Sequence, residues 1–211
     1  WRSVAAGWER RAAVFRDATA ELTQRLVTLL DPTPGETILE LAAGLGETGF
    51  EAARHLGPEG RLLTTDAAPE MVAAAQRRAA ELGVDGVEPR VLDLMAIDLP
   101  DGSVDGVLCR FAIMLVDDPG VAVAEIARVL RPGGRVALAV WASPDENDWM
   151  TATGRSALEL GLMERPDPRA PGPFRLADVG ELRQLLADAG LGIETIEDVP
   201  VRWRAVSLDE W

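Results

Sequence analysis

The chain has no lysine and no tyrosine, and it holds one histidine and one cysteine. All 21 basic residues are therefore arginine, set against 35 acidic ones. Without lysine, neither a pyridoxal Schiff base nor a P-loop lysine can be built. A dehydrogenase working through a Tyr–Lys pair is excluded for the same reason. His55 and Cys109 alone cannot assemble a zinc site of the common His/Cys kinds, so no metal is expected. A single cysteine also excludes an internal disulfide and suits a reducing cytoplasm. No apolar run approaches the ~20 residues of a membrane helix, and no charged-then-apolar leader opens the sequence. The net charge of −14 repels phosphate backbones and anionic lipid. Nucleic acid and membrane surfaces are thus not expected as partners; a homodimer is left open.

Strand and helix signals alternate along the 211 residues. Residues 1–34 read as a helical cap, closed by Asp31-Pro32-Thr33-Pro34-Gly35. Residues 37–41 form a short apolar strand, followed by glycines and a helix over about 47–56 ended by Gly57-Pro58. A second strand is predicted at 61–65, then a helix from Pro69 to Leu82 with Gly83 as its stop. Strands at 87–92 and 104–110 follow, then a helix over 119–130 and an apolar strand over 135–141. Residues 142–175, rich in proline and polar groups, break the rhythm. It resumes with a helix at 177–189 and a strand from about 192. Such alternation predicts an α/β fold: a doubly wound, Rossmann-like, mostly parallel sheet with helices on both faces. In that architecture ligands bind beyond the C-terminal strand ends, where the winding reverses.

The stretch ELAAGLGETG, residues 40–49, sits at that point and spaces Gly44, Gly46 and Gly49 as G-x-G-x-x-G. Glycine serves where backbone must turn left-handed or approach a ligand closely. The next strand runs into Asp66, 20 residues after Gly46, where a carboxylate can accept both hydroxyls of a ribose. Together they predict a nucleoside-bearing cofactor. NAD loses weight because tyrosine and lysine are absent and His55 lies near the far end of the following helix. There a histidine is better explained by the helix dipole.

ILELAAGLGETG resembles motif I of the class I S-adenosylmethionine-dependent methyltransferases, with Glu40, Ala42, Gly44 and Gly46 in the motif positions. Ala42 stands where that family more often has glycine. LLTTDAAPEMVAAA is similar to the family's second segment, with Asp66 as the ribose-binding acid, Ala67 beside it and Met71 either covering the adenine or in the core. RVLDLMAIDLPDGSVDGVLCRFAIMLVDDP resembles the stretch carrying an adenine-binding aspartate, here Asp93, flanked by Leu94 and Met95. VLRPGGRVALAVW resembles the turn into strand five. The resemblance covers residues 35–142 and looks closest to the quinone-biosynthesis and small-molecule branch. It implies S-adenosylmethionine as cofactor, bound by residues 35–141. Glu40 would orient the loop or the donor's ammonium, and Arg110 and Phe111 would approach the donor from the methyl side.

The chemistry so implied is in-line SN2 displacement at the sulfonium, for which the protein aligns a nucleophile and excludes water. No catalytic base stands out. Asp145, Glu146 and Asp148 are the acidic cluster to test, although such runs are more often solvated loops. Substrate identity should lie outside the common core, in the N-terminal helices with Trp8 and in residues 142–175 with Trp149, Met150 and PGPF. Trp141, Phe111 and Met114 would add apolar wall, suited to a small apolar or aromatic methyl acceptor. An NAD-binding oxidoreductase and a non-catalytic donor-binding protein are the alternatives. The resemblance further implies seven strands, the seventh antiparallel between the fifth and sixth. Residues 199–206 are read as extending the sixth, and Ser207-Leu208-Asp209-Glu210 as a capping box opening a helix. Residues 176–211 are accordingly expected to be a truncated end of the same domain.

Overall fold

The computed structural model describes residues 5–164 and 167–203. One long helix, α1 (Ala5–Leu30), precedes β1 (Thr37–Leu41), α2 (Glu47–Ala53), β2 (Arg61–Asp66), α3 (Pro69–Leu82) and β3 (Val87–Val91). Next come β4 (Val104–Arg110), α4 (Pro119–Val129) and β5 (Leu130–Ala139), then α5 (Asp148–Glu159) and α6 (Val179–Asp188). The five strands lie in the order β3-β2-β1-β4-β5, and all neighbours run parallel. The winding therefore reverses between β1 and β4, which places the glycine loop after β1 at the expected crevice.

Alternating side chains divide the interior into two cores. Ile38, Leu62 and Leu108 join Leu22, Leu26 and Leu30 of α1, Phe50 of α2 and Ala75 of α3 on one face. Leu39, Leu41, Val107 and Cys109 join Val123 and Ile126 of α4 and Leu182 and Leu186 of α6 on the other. Buried from both sides, β1 and β4 need continuous apolar runs, and TILEL and VDGVLCR supply them. Burial pushes the Cys109 thiol up to about 12, so it is an inert core side chain.

Several expectations are corrected. The helix after the glycine loop ends at Ala53 rather than near residue 56. β5 begins at Leu130, because Val104 pairs with Leu130 before a register shift passes over Arg131-Pro132-Gly133-Gly134. The expected solvated run at 145–148 instead leads into α5, which begins at Asp148 and buries no residue. The strand expected from residue 192 does not form among the described residues.

That last stretch crosses the edge of the sheet instead of running along it. Leu191 and Ile193 pack against the α4/α6 core, while Val199 and Val201 pack against the α1/α2 core. Arg202 N–H donates to Ala18 C=O (3.3 Å), Arg25 pairs with Glu197, and Arg202 pairs with Glu21 (3.0 Å). Pro200 has no N–H to offer a strand ladder. The apolar alternation here serves two cores in turn. Beside β5 a cleft of about 1050 Å³ is left, lined on its floor by Val136, Leu138 and Val140. The calls for 204–211, including the capping box at 207–210, lie outside the described residues.

Candidate active site

The glycine loop is held by two carboxylates. Glu40, at the end of β1, is buried; its Oε1 accepts from Gly49 N–H (2.8 Å) and its Oε2 from Thr64 Oγ1–H (2.6 Å). Burial pushes its carboxyl up to about 7, against the downward pull of those two bonds and of the Arg110 charge. Glu40 thus acts on the loop through the backbone of Gly49. A methyl at Gly49 would overlap the Glu40 carboxylate, so the third glycine is fixed by this contact. Asp66 ties the loop to the next strand end: Oδ2 accepts from Gly44 N–H (3.0 Å) and Oδ1 from Ala68 N–H (2.9 Å). Each oxygen has a second lone pair, so the group can still accept from a ligand hydroxyl.

Ala42 adopts φ +49°, in the left-handed region. A side chain there costs roughly 1–2 kcal/mol, which explains why glycine is the commoner residue at this place. At Gly46 the φ is +82°, and a methyl would strike the Phe50 ring. Gly44 differs, for no atom lies within 4 Å of where its Cβ would stand. The backbone at Gly44 therefore borders open space that a ligand can enter, as a nucleoside-bearing cofactor requires.

The remaining expected residues are brought to the same C-terminal edge with different degrees of access. Asp93 is exposed, and its Oδ1 accepts from Met95 N–H (2.9 Å). Leu94 packs in the α4/α6 core, while Met95 is only partly buried against it. Ala67 is exposed; Met71 is buried with Ala68 beneath Trp8 of α1. Arg110 ends β4 and donates from Nη1 to the hydroxyls of Thr19 (2.8 Å) and Thr23 (3.1 Å) on α1. His55 is exposed just beyond α2, beside the N-terminal end of β2 and away from the loop.

On the far side lies a run of six aromatic rings. Phe111 stacks on Trp141 (centroids 3.9 Å, 6°), Trp141 meets Trp149 edge-on (5.7 Å), and Trp149 meets Trp203 (4.5 Å). Phe15 then bridges Trp203 (5.0 Å) and Trp8 (3.9 Å). Trp8, Phe111, Trp141 and Trp149 were expected from the sequence. Phe15 shares a helix face with Trp8 in the sequence pattern, while Trp203 was not expected. Met114 is buried in the core, and Asp145, Glu146 and Asp148 are committed to structure. Asp145 and Asp148 pair with Arg155 (3.6 and 3.0 Å), and Glu146 closes a capping box with Ser143. Among the described residues no helix is long and apolar enough to cross a membrane, and no group of three His, Cys, Asp or Glu could hold a metal.

Fold, reversal point and braced glycine loop define a nucleoside-binding α/β domain. Residues 38–134 match the family described as Methyltransferase domain. This core is thus similar to a methyltransferase domain, and the chain shares the fold of solved S-adenosylmethionine-dependent methyltransferases. The chain is 36% identical over 136 residues to nocamycin O-methyltransferase of Saccharothrix syringae, covering 62% of this chain and 48% of that one. It is 29% identical over 180 residues to arsenite methyltransferase of Halobacterium salinarum, covering 84% and 42%. A crystal structure of an S-adenosylmethionine-dependent methyltransferase from Aquifex aeolicus aligns with a TM-score of 0.69 at 22% identity, covering 91% and 92%. The chain spans about half the length of the curated relatives it matches.

Proposed function

We propose that the chain carries methyl transfer from S-adenosylmethionine to a small apolar or aromatic acceptor. The observation that carries this reading is the open space over Gly44 next to Asp66, on adjacent strand ends of a core similar to a methyltransferase domain. In this arrangement Asp66 accepts from the ribose hydroxyls while holding Gly44, and Asp93 is free on its second oxygen for an adenine amino group. The bound donor supplies an activated methyl on a sulfonium. The protein supplies orientation and exclusion of water, and the side chains found at the loop are braces rather than bases.

The aromatic run from Trp8 to Phe111 supports an acceptor with a flat or apolar body, and the names of the matched relatives, a nocamycin O-methyltransferase and an arsenite methyltransferase, fit small acceptors. The helical cap and residues 142–175 would then form the acceptor side. Among the described residues the outer edge of β5 has no strand partner, and the cleft beside it borders this acceptor side. A cytoplasmic location suits the same reading, and sedimentation would decide between monomer and homodimer.

Calorimetry with S-adenosylmethionine and S-adenosylhomocysteine tests the proposal. Asp66→Ala is expected to weaken binding by about 1.5–3 kcal/mol, the range for bonds to a charged partner. Asp93→Ala should cost less, since an exposed adenine edge can bond water. Unchanged affinity in Asp66→Ala, or a response of nicotinamide fluorescence in its place, overturns the assignment.

A further inference from the structure

Among the described residues two buried side-chain polar atoms have no hydrogen-bond partner: Thr48 Oγ1, in the first turn of α2, and Trp203 Nε1. A hydroxyl rotates and can donate or accept, so Thr48 has several ways to be satisfied. An indole N–H only donates, in a direction fixed by its ring. Trp203 follows Arg202, whose N–H bonds Ala18 C=O (3.3 Å), and its ring stands edge-on to Phe15 and tilted against Trp149. Neither neighbouring ring offers a lone pair, since phenylalanine has none and a second indole only donates. A donor cut off from water in this way carries its desolvation cost until an acceptor reaches it.

The course of α1 sets where this donor stands. Trp8 packs on Ala68 and Met71 at the start of α3, and Thr19 and Thr23 hold Arg110 at the end of β4. Phe15 falls between them on the same helix, and β1 falls between β2 and β4 in the sheet. Phe15 and the Trp203 ring packed on it are therefore carried across the end of β1, whose loop leaves open space at Gly44. The cover over Trp203 is thin on one side: Trp149 is 36% exposed and sits on α5, which buries no residue. A flat ring entering between Trp149 and Trp203 exchanges one aromatic contact for another. An oxygen on that ring gives Nε1–H the partner it lacks.

We infer that Trp203 positions the methyl acceptor, its Nε1–H donating to an oxygen carried on a flat, otherwise apolar ring system. The inference rests on the acceptor reading above and narrows it, because an aromatic without such an oxygen leaves the buried donor unpaired.

The test titrates the nitrogen-15-labelled full chain with 1-tetralone and with tetralin, the same fused rings with and without a carbonyl. The indole signal missing from Trp203→Phe identifies Nε1–H. Expected are a downfield shift of that signal with tetralone but not with tetralin, and a roughly 3- to 10-fold weaker tetralone affinity in Trp203→Phe, with tetralin within twofold. Equal losses for both probes make the indole a packing surface and overturn the inference. A tetralone shift confined to other indoles overturns it too, as does equal tetralone affinity in the two proteins or no binding of tetralone. The titrations are run with and without S-adenosylhomocysteine. Should S-adenosylhomocysteine itself not bind, the donor reading fails, while the tetralone shift still decides Trp203. If Trp203→Phe does not fold, contacts with the Phe15 ring protons identify the signal in wild type, and its shift decides.

Discussion

The centre of the sheet and its β5 edge are built by different means. On the β1 side, each strand end is fixed by a long-range polar bond: Glu40 to Gly49 and Thr64, Asp66 to Gly44 and Ala68, Thr65 Oγ1 to Glu40 C=O (2.7 Å). Leu39 is fully buried and Leu41 nearly so. On the β5 side, Val136, Leu138 and Val140 are only partly covered, and the chain beyond α6 crosses the edge without pairing. The contrast separates preorganisation from adaptability. The glycine-loop side has one arrangement, fixed by polar bonds, whereas the aromatic side is assembled from α1, α5 and the end of the described chain by ring contacts.

The most direct way to break that contrast is to truncate an apolar side chain at each place. Leu39→Ala should cost about 3–4 kcal/mol in denaturant unfolding, because the cavity cannot collapse between two cores. Val136→Ala, with the cleft beside it, should cost about 1 kcal/mol. Similar costs at the two positions would mean that the β5 edge is as tightly packed as the centre.

A smaller effect, on the order of 2–3 kcal/mol, should follow pH through Glu40. Its folded-state pKa is about 7 against an ordinary 4.5, so the folded chain keeps a proton that the unfolded chain has lost. The contribution of this group is therefore greatest below about 4.5, falls as pH rises through the window to 7, and is flat above it. Relative to wild type, Glu40→Gln should gain stability as pH rises across the same window. A difference between the two proteins that does not vary with pH would show that Glu40 is ionised throughout.

The smallest effect is expected at the exposed Arg25–Glu197 pair, which ties residues 192–203 to α1. Glu197→Ala should leave the melting temperature unchanged within error, since solvent screens such a pair and the apolar contacts of Val199 and Val201 remain. A clear drop would make this ion pair, rather than the apolar contacts, the fastening of the acceptor side.

The same division governs what could be read in the sequence. β1, β4 and α3 have the bounds that their local signals predict, because apolar runs flanked by turns, Pro69 at the helix start and Gly83 at φ +63° act within a few residues. The site carboxylates were also legible, since a strand end followed by glycines fixes their place. That Glu40 orients the loop was legible too; its partner Thr64, 24 residues away, and the bond from Gly44 to Asp66, 22 residues away, were not. α5 was not legible because its apolar residues Met150, Ala157 and Leu158 are only half-buried and lie in a stretch punctuated by prolines and polar groups. Residues 192–203 read as a strand because alternation reports burial on two sides, and two helical cores give the same pattern as a sheet partner.

The aromatic run has a meaning for the order of assembly. Through Phe15 it joins residue 8 to residue 203, so nearly the whole described chain is one loop closed at the binding edge. Closure over such a separation is entropically dear and is rewarded only after the intervening sheet exists. The parallel strands and the braced glycine loop are therefore in place while α1 and residues 192–203 are still apart. Parting the Phe15–Trp203 contact later undoes no strand pairing, which makes it a low-energy local opening. The Phe15–Trp203 contact is then the place where this fold can part without disturbing its sheet.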